Sequence, residues 1–271
     1  MRMTSRHPLC HAHWVRVLGI DLAAQAASTG VVVLERAEGN QWMAAEIEGR
    51  ADDEGLVRAV RGCAVVGVDS PLGWPVAFVK AVQAHTDHMP WTGTGNRSTL
   101  THRDTDRAIR EHGIRAPLSV SADNLGSVAM RCALLQRRWA EEVWAGSAPR
   151  DGSGTLVETY PAAALAAWGI ECVGYKRGSR KDSATEVRER ITNTIHEATR
   201  DWLDLDGIRK RCVMSDHVLD ALICALVAIA AKSSATHPPS GEQRSVALIE
   251  GWIHVPSQSL TATSPTTLVR G

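Results

Sequence analysis

The chain has no net charge: 30 Lys and Arg stand against 30 Asp and Glu. That balance argues against a strongly basic nucleic-acid binder, although a local basic groove fits inside a neutral total. Lysine is scarce, at five of the 30 basic residues, which reads as base composition of the source genome. Closely spaced cysteines are missing. Cys10, Cys63, Cys132, Cys172, Cys212 and Cys224 stand far apart, which argues against a zinc ribbon or a redox dithiol. Cys63, Cys132 and Cys224 lie in apolar surroundings and read as buried thiols, in keeping with a reducing, cytoplasmic location. No apolar run reaches the roughly 20 residues of a membrane span. The longest, residues 221–231, has the length of a core helix. Residues 1–13 lack the apolar segment of a signal peptide and read as a disordered leader, in which His7, His11 and His13 are incidental. Internal repeats are also absent.

What the chain does have is an apolar strand that ends on a carboxylate, Val15-Arg16-Val17-Leu18-Gly19-Ile20-Asp21. An aspartate that caps the following turn accounts for such a stretch equally well. The pattern recurs, however. Cys63-Ala64-Val65-Val66-Gly67-Val68-Asp69 is a second such strand, Leu156-Val157-Glu158 a third, and Asp216 and Asp220 open the long apolar helix. Burying a carboxylate without a partner is costly. Acids spread over most of the chain meet only if a helix is laid across one sheet, and either a divalent metal or an arginine then serves as partner.

Taken in order, residues 14–21, 29–36 and 41–48 read as consecutive strands, with a Glu38-Gly39-Asn40 turn in the last hairpin. A helix over 52–62 follows, capped by Asp52 or Asp53. Strand 64–69 then returns parallel to the first. Residues 76–85 read as a short helix and 86–101 as loop. Thr101 is the expected cap of a helix that follows it, with Asp104 at its third position. Residues 115–125 read as loop and 126–144 as a long helix. Residues 70–150 are therefore predicted to form a helical cap between two sheet strands. Strand 155–160 leads to a helix opened by Pro161. A basic loop over 175–180, a helix capped by Asp182 or Ser183, a short helix over 205–211 and a helix over 216–232 capped by Ser215 come next. Residues 235–244 read as linker, 246–255 as a terminal hairpin and 257–271 as a disordered tail. The expected architecture is α/β: a mixed five-stranded sheet with flanking helices and an inserted helical cap, in one domain over 14–256. This order of elements opens both RNase H-like and actin-like folds.

Several segments resemble an uncharacterised prokaryotic, bacterial family of predicted RNase H-like nucleases. They are Gly19-Ile20-Asp21, Val68-Asp69-Ser70-Pro71-Leu72-Gly73, Arg103-Asp104-Thr105-Asp106, Glu158-Thr159-Tyr160-Pro161, the start of the 216–221 helix and Glu250-Gly251-Trp252-Ile253. The likeness runs over about residues 15–256. His217 with Asp220-Ala221 also resembles the spacing at the corresponding helix of Holliday-junction resolvases. The resemblance implies an RNase H-like fold and a Mg2+- or Mn2+-dependent nuclease or phosphodiesterase acting on nucleic acid or a nucleotide-like phosphoester. Hard cations take oxygen ligands, and two of them about 3.5–4 Å apart serve phosphodiester hydrolysis. Asp21 is then the bridging carboxylate, Asp69 or Glu158 the second ligand and Asp220 the third, supported by Asp216 or His217. Asp69 also reads as the cap of its own Ser-Pro-Leu-Gly turn. Substrate contacts are expected from Arg97, His102, Arg103, Asp106 and Arg107, with Arg110 on the same face; pairing of these arginines with nearby acids is the plainer alternative. Lys176, Arg177, Arg180 and Lys181 read as an exposed basic loop, and Trp74, Trp91 and Tyr160 as candidates for stacking on a base. Two other functions stay open: an actin-like phosphotransferase or ATPase, for which residues 23–30 offer one poor phosphate loop, and a non-catalytic nucleotide- or nucleic-acid-binding protein.

Overall fold

The computed structural model describes residues 15–36, 41–47, 49, 51–91, 97–115, 117–176, 181–263 and 265. The leader, the 38–40 turn, Arg177, Arg180 and the end of the tail lie outside them. Three strands open the fold: β1 (Val15–Asp21), β2 (Gly30–Arg36) and β3 (Trp42–Glu46). Helix α1 (Asp53–Ala59) follows, with the Asp52 carboxylate accepting from the Gly55 amide at its N-terminus. Strand β4 (Cys63–Asp69) returns parallel to β1. Between β4 and the short β5 (Leu156–Glu158) lie α2 (Val76–Thr86), α3 (Arg97–Thr101), α4 (Asp104–Glu111) and α5 (Gly126–Glu142). Next come α6 (Pro161–Ala167), with proline in its first turn, and α7 (Lys181–Thr199). Strand β6 (Leu203–Asp204), α8 (Arg209–Met214), α9 (Asp216–Lys232) and α10 (Arg244–Glu250) complete the order.

The sheet runs β5-β4-β1-β2-β3-β6. Pairings β1–β4, β4–β5 and β3–β6 are parallel, and β1–β2 and β2–β3 are antiparallel. Six strands replace the expected five. The sixth is only two residues of β6 on the edge of β3, too short to carry a strand pattern.

Alternation along the strands divides the core in two. Val17, Val32, Leu34 and Val65 face α9, while Leu18, Ile20, Val31, Val33, Val66 and Val68 pack on the other side with residues of α1 and α5. Cys132, Leu135 and Trp139 of α5 are fully buried there, so part of the segment between β4 and β5 covers a face of the sheet. Helix α9 is apolar on every side, and its residues from Val218 to Ala230 are buried, as suits a helix enclosed all round. Its N-terminus is closed by the Ser215 hydroxyl, which accepts from the Val218 amide at 3.4 Å.

Glycines set how closely α9 lies on the sheet. Gly19 and Gly67 are partners across β1 and β4, and Gly30 pairs with Asp21 across β2 and β1. A Cβ on Gly30 would stand 2.1 Å from the His217 carbonyl oxygen, one on Gly19 1.9 Å from that of Ala221, and one on Gly67 2.2 Å from that of Cys224. Residues 217, 221 and 224 follow one stripe of the helix, so α9 crosses β2, β1 and β4 with backbone nearly touching backbone.

Elsewhere the structure corrects the expected elements. Part of the 86–101 loop is helix α3, whose polar sequence buries Leu100 alone. Arg103, not Thr101, sits at the N-terminus of α4, and Asp106, not Asp104, is its third residue. The α7 helix already includes Asp182 and Ser183. Helix α8 begins four residues later than expected. The 246–255 hairpin is instead α10 followed by an extended stretch, of which Ile253 alone bridges to β5, at Glu158. Residues 257–263 are not loose tail, since a 3-10 turn at Leu260–Ala262 seats Leu260 in the core around α9. Among the described residues no helix is long and apolar enough to cross a membrane.

Gly19→Ala is expected to destabilise the protein by about 3 kcal/mol, the upper end of what forced overpacking costs. Gly241→Ala, where nothing lies within 4 Å, should change it by less than about 0.5 kcal/mol. Urea unfolding of the two variants measures the difference.

Candidate metal centre

Asp21 and Asp69 end neighbouring parallel strands and are register partners. In-register partners share a face of the sheet, here the one that α9 covers. The helix contributes Asp220 from its first turns. One carboxylate oxygen from each of Asp21, Asp69 and Asp220 lies within 4.8 Å of the others, with Asp21 and Asp220 buried and Asp69 partly buried. Burial pushes the Asp220 carboxyl up to about 6, with Lys176 opposing and Asp21 adding to the rise. Burial likewise raises Asp69 well above the usual carboxylate range, against Lys176 and reinforced by Asp21 and Asp220. The cluster is thus short of positive charge. Three hard oxygen donors facing one point are a set that suits a divalent cation.

Two further groups complete the cluster. His217 Nδ1 is 2.7 Å from Asp21 Oδ2, and this hydrogen bond raises the imidazole pKa against its partial burial. Tyr175 donates its hydroxyl to Asp220 at 2.9 Å, and Lys176 Nζ lies 2.8 Å from the other Asp220 oxygen. Burial disfavours the Lys176 charge, but Asp220 and Asp69 outweigh it and hold its pKa above the ordinary value.

Glu158, expected as a possible ligand, has another partner. It is in register with Val68 rather than with Asp69. One step of alternation therefore turns it to the opposite face, shared with Leu156, Val66 and Val68. There both its oxygens meet Arg103, at 2.7 and 2.9 Å, and one also accepts from the Leu72 amide. Arg103 is 1% exposed. Its Nε and Nη2 engage Asp106, its Nη1 donates to the Glu250 carbonyl as well as to Glu158, and its Nη2 also faces Glu158. Burial works against the Arg103 charge, yet Glu158 and Asp106 hold its pKa above the ordinary value. Arg103 and Asp106, expected as substrate contacts, thus form a closed ionic core, and Arg103 also lines the cavity beside Asp21 and Asp69.

The Glu250 side chain extends that core. Its two oxygens accept from the Val76 and Asp104 amides, at the first residues of α2 and α4. Gly251, at φ +90, passes so close that a Cβ would stand 2.3 Å from a Glu158 oxygen. This explains physically why Glu and Gly stand side by side there.

The other expected site residues take ordinary roles. Arg107 pairs with Asp104 and donates to the His102 carbonyl. Arg110 lies 3.0 Å from His102 Nε2, and burial together with Arg110 lowers the His102 pKa. Arg97 is exposed at the start of α3. Asp216 is buried in the first turn of α9 and stands outside the three-acid group. Trp91 packs edge-on against His85, while Tyr160 lines the same cavity as Asp21 and Asp69. That cavity has a volume of about 400 Å³ and includes Asp21, Asp69, Glu158, Tyr175 and Lys176 in its wall. Lys176 is exposed as expected, and in addition pairs with Asp220, which its sequence surroundings do not show. Its neighbour Tyr175 gave no signal, because both reach Asp220 only through the fold.

A family model described as a protein of unknown function (DUF429) matches residues 19–244. No curated protein and no solved structure matches the chain significantly.

Two variants test this electrostatic picture. The Asp220 pKa lies above its unfolded value, so its contribution to stability is present at acid pH and lost as pH rises through about 6. In EDTA at pH 7.5, Asp220→Asn should therefore raise the thermal midpoint by roughly 5 °C, and the gain should vanish below about pH 4. Arg103→Met leaves Glu158 and Asp106 buried without a cation and should cost about 3–5 kcal/mol in urea unfolding, part of it recovered by adding Glu158→Gln.

Proposed function

The chain belongs to the DUF429 family of proteins of unknown function, and from its three converging acids we propose a metal-dependent phosphodiesterase with an RNase H-like fold. The observation that carries this reading is the meeting of Asp21, Asp69 and Asp220 within 4.8 Å at the end of a parallel strand pair. A central strand bearing one acid, a parallel neighbour bearing the next and a crossing helix bearing the third support the RNase H-like assignment. Mg2+ or Mn2+ bound there would neutralise phosphate charge and make water a stronger nucleophile.

The chain's own residues have separable tasks. Asp21, Asp69 and Asp220 hold the cation. Tyr175 orients Asp220 through its hydroxyl, and His217 orients Asp21 through Nδ1. Lys176 stands at the cavity wall and offers a positive charge to the substrate's phosphate once it leaves Asp220. The Glu158–Arg103 pair fixes the turn after Asp69 through the Leu72 amide. Hydrolysis adds one water across a P–O ester bond and yields a phosphomonoester and an alcohol. The proton given up by the water is the one that the leaving alkoxide gains.

Calorimetric titration with Mn2+ should show saturable binding that is lost in Asp21→Asn. Phosphodiester hydrolysis should fall to background in the same variant, with a thermal midpoint unchanged or raised. Unaltered metal binding and hydrolysis in Asp21→Asn would overturn the reading.

A further inference from the structure

The cavity lined by Asp21 and Asp69 also constrains what reaches them. At about 400 Å³ it falls in the range of small-molecule sites, about 300–1,000 Å³. Much of the rest of its wall is apolar, with Pro71, Pro117, Leu118, Leu125 and Val128 among its residues, and Tyr160 also lines it. A polynucleotide is held differently. Half or more of its contacts go to a run of phosphates, and its affinity comes from several lysines and arginines.

Such cations are few in this wall among the described residues. Among the described residues its only Lys or Arg side chains are Arg103 and Lys176. Arg103 is committed to Glu158, Asp106 and the Glu250 carbonyl. Of these two, Lys176, half exposed and paired with Asp220, is the one that can turn to a phosphate. Arg107 is tied to Asp104 and Arg110 to His102 on the neighbouring helix. One ammonium beside an acid cluster matches one phosphate, and an apolar wall matches an uncharged substituent.

Resting on the phosphodiesterase reading, we propose that the substrate is a small phosphodiester bearing an apolar or aromatic group, which packs against Leu118, Leu125 and Tyr160, and not a polynucleotide strand. An aromatic substituent gains both area burial and ring contact with Tyr160.

The test compares bis(p-nitrophenyl) phosphate with single-stranded DNA, duplex DNA and RNA, all with Mn2+. It is run on the wild type and on Leu118→Asp, Leu125→Asp and Leu134→Asp. Leu118 and Leu134 are 52% and 62% exposed, so the fold tolerates both changes, and Leu134 does not line the cavity. The expected result is turnover of the small diester and not of the polymers. Its kcat/KM should fall about tenfold or more through KM in the two wall variants, with Mn2+ affinity and the Leu134→Asp variant unchanged. Binding of 1-naphthyl phosphate with Ca2+ present, read by calorimetry, should weaken in parallel. Metal-dependent cleavage of a polymer with the small diester untouched overturns this proposal and leaves the phosphodiesterase reading standing. So do wall variants that match Leu134→Asp in both assays. No cleavage of any substrate overturns the phosphodiesterase reading, and naphthyl phosphate binding that still depends on Leu118 then supports the ligand class alone. Absence of that binding as well overturns both.

Discussion

Everything at the candidate centre depends on how near one helix lies to one sheet. Side chains ordinarily hold a helix off the strands beneath it. Here Gly30, Gly19 and Gly67 remove them in a line across β2, β1 and β4, and the carbonyls of His217, Ala221 and Cys224 occupy the space. Only at that separation does a short aspartate from α9 reach the aspartates at the strand ends. The same approach carries His217 to Asp21. Packing and chemistry are therefore one constraint, because a methyl group on a glycine well inside the sheet would move the acids apart.

A second constraint opposes the first. Three carboxylates gathered in a low-dielectric corner destabilise the folded state, and burial raises two of them above their ordinary range. The surroundings offset this unevenly. Lys176 and Tyr175 serve Asp220, and His217 serves Asp21. On the opposite face Arg103 joins two carboxylates, Glu158 and Asp106, in a closed hydrogen-bonded core that ties β5, α4 and the end of α10 together. A strained, charge-poor cluster beside a satisfied network is the arrangement expected where stability has been exchanged for a binding site.

Much of this was legible in the sequence. Apolar runs ending in acids located β1 and β4, and the long uncharged run located α9 almost to the residue. Asp21, Asp69 and Asp220 followed from those elements. The partner of each acid did not. Glu158 looks equivalent to Asp69 in sequence, and only the register of β5 against β4 shows that it faces the other way. Arg103 looks like a surface arginine among charges, because two of its three partners, Glu158 and Glu250, lie 55 and 147 positions distant in the chain. The short elements α3 and β6 and the helical form of residues 244–250 escaped because each buries too few side chains to leave a pattern. Lys176 escaped for a related reason, since nothing local distinguishes a lysine that meets a buried aspartate from one in water.

The order in which the chain is made gives the position of α9 another meaning. The α9-facing side of β1, β2 and β4 is complete once Asp69 has been added, but its cover does not begin until Asp216, roughly 150 residues later. At about 5–20 residues per second, a ribosome needs roughly ten to thirty seconds to bridge that interval. Throughout it a valine-rich sheet face, with glycines that leave its backbone bare, lacks the helix that covers it. Newborn chains of this protein thus pass through a period in which their most adhesive surface is open to whatever else is nearby, and timely supply of α9 protects the cell as much as it completes the fold.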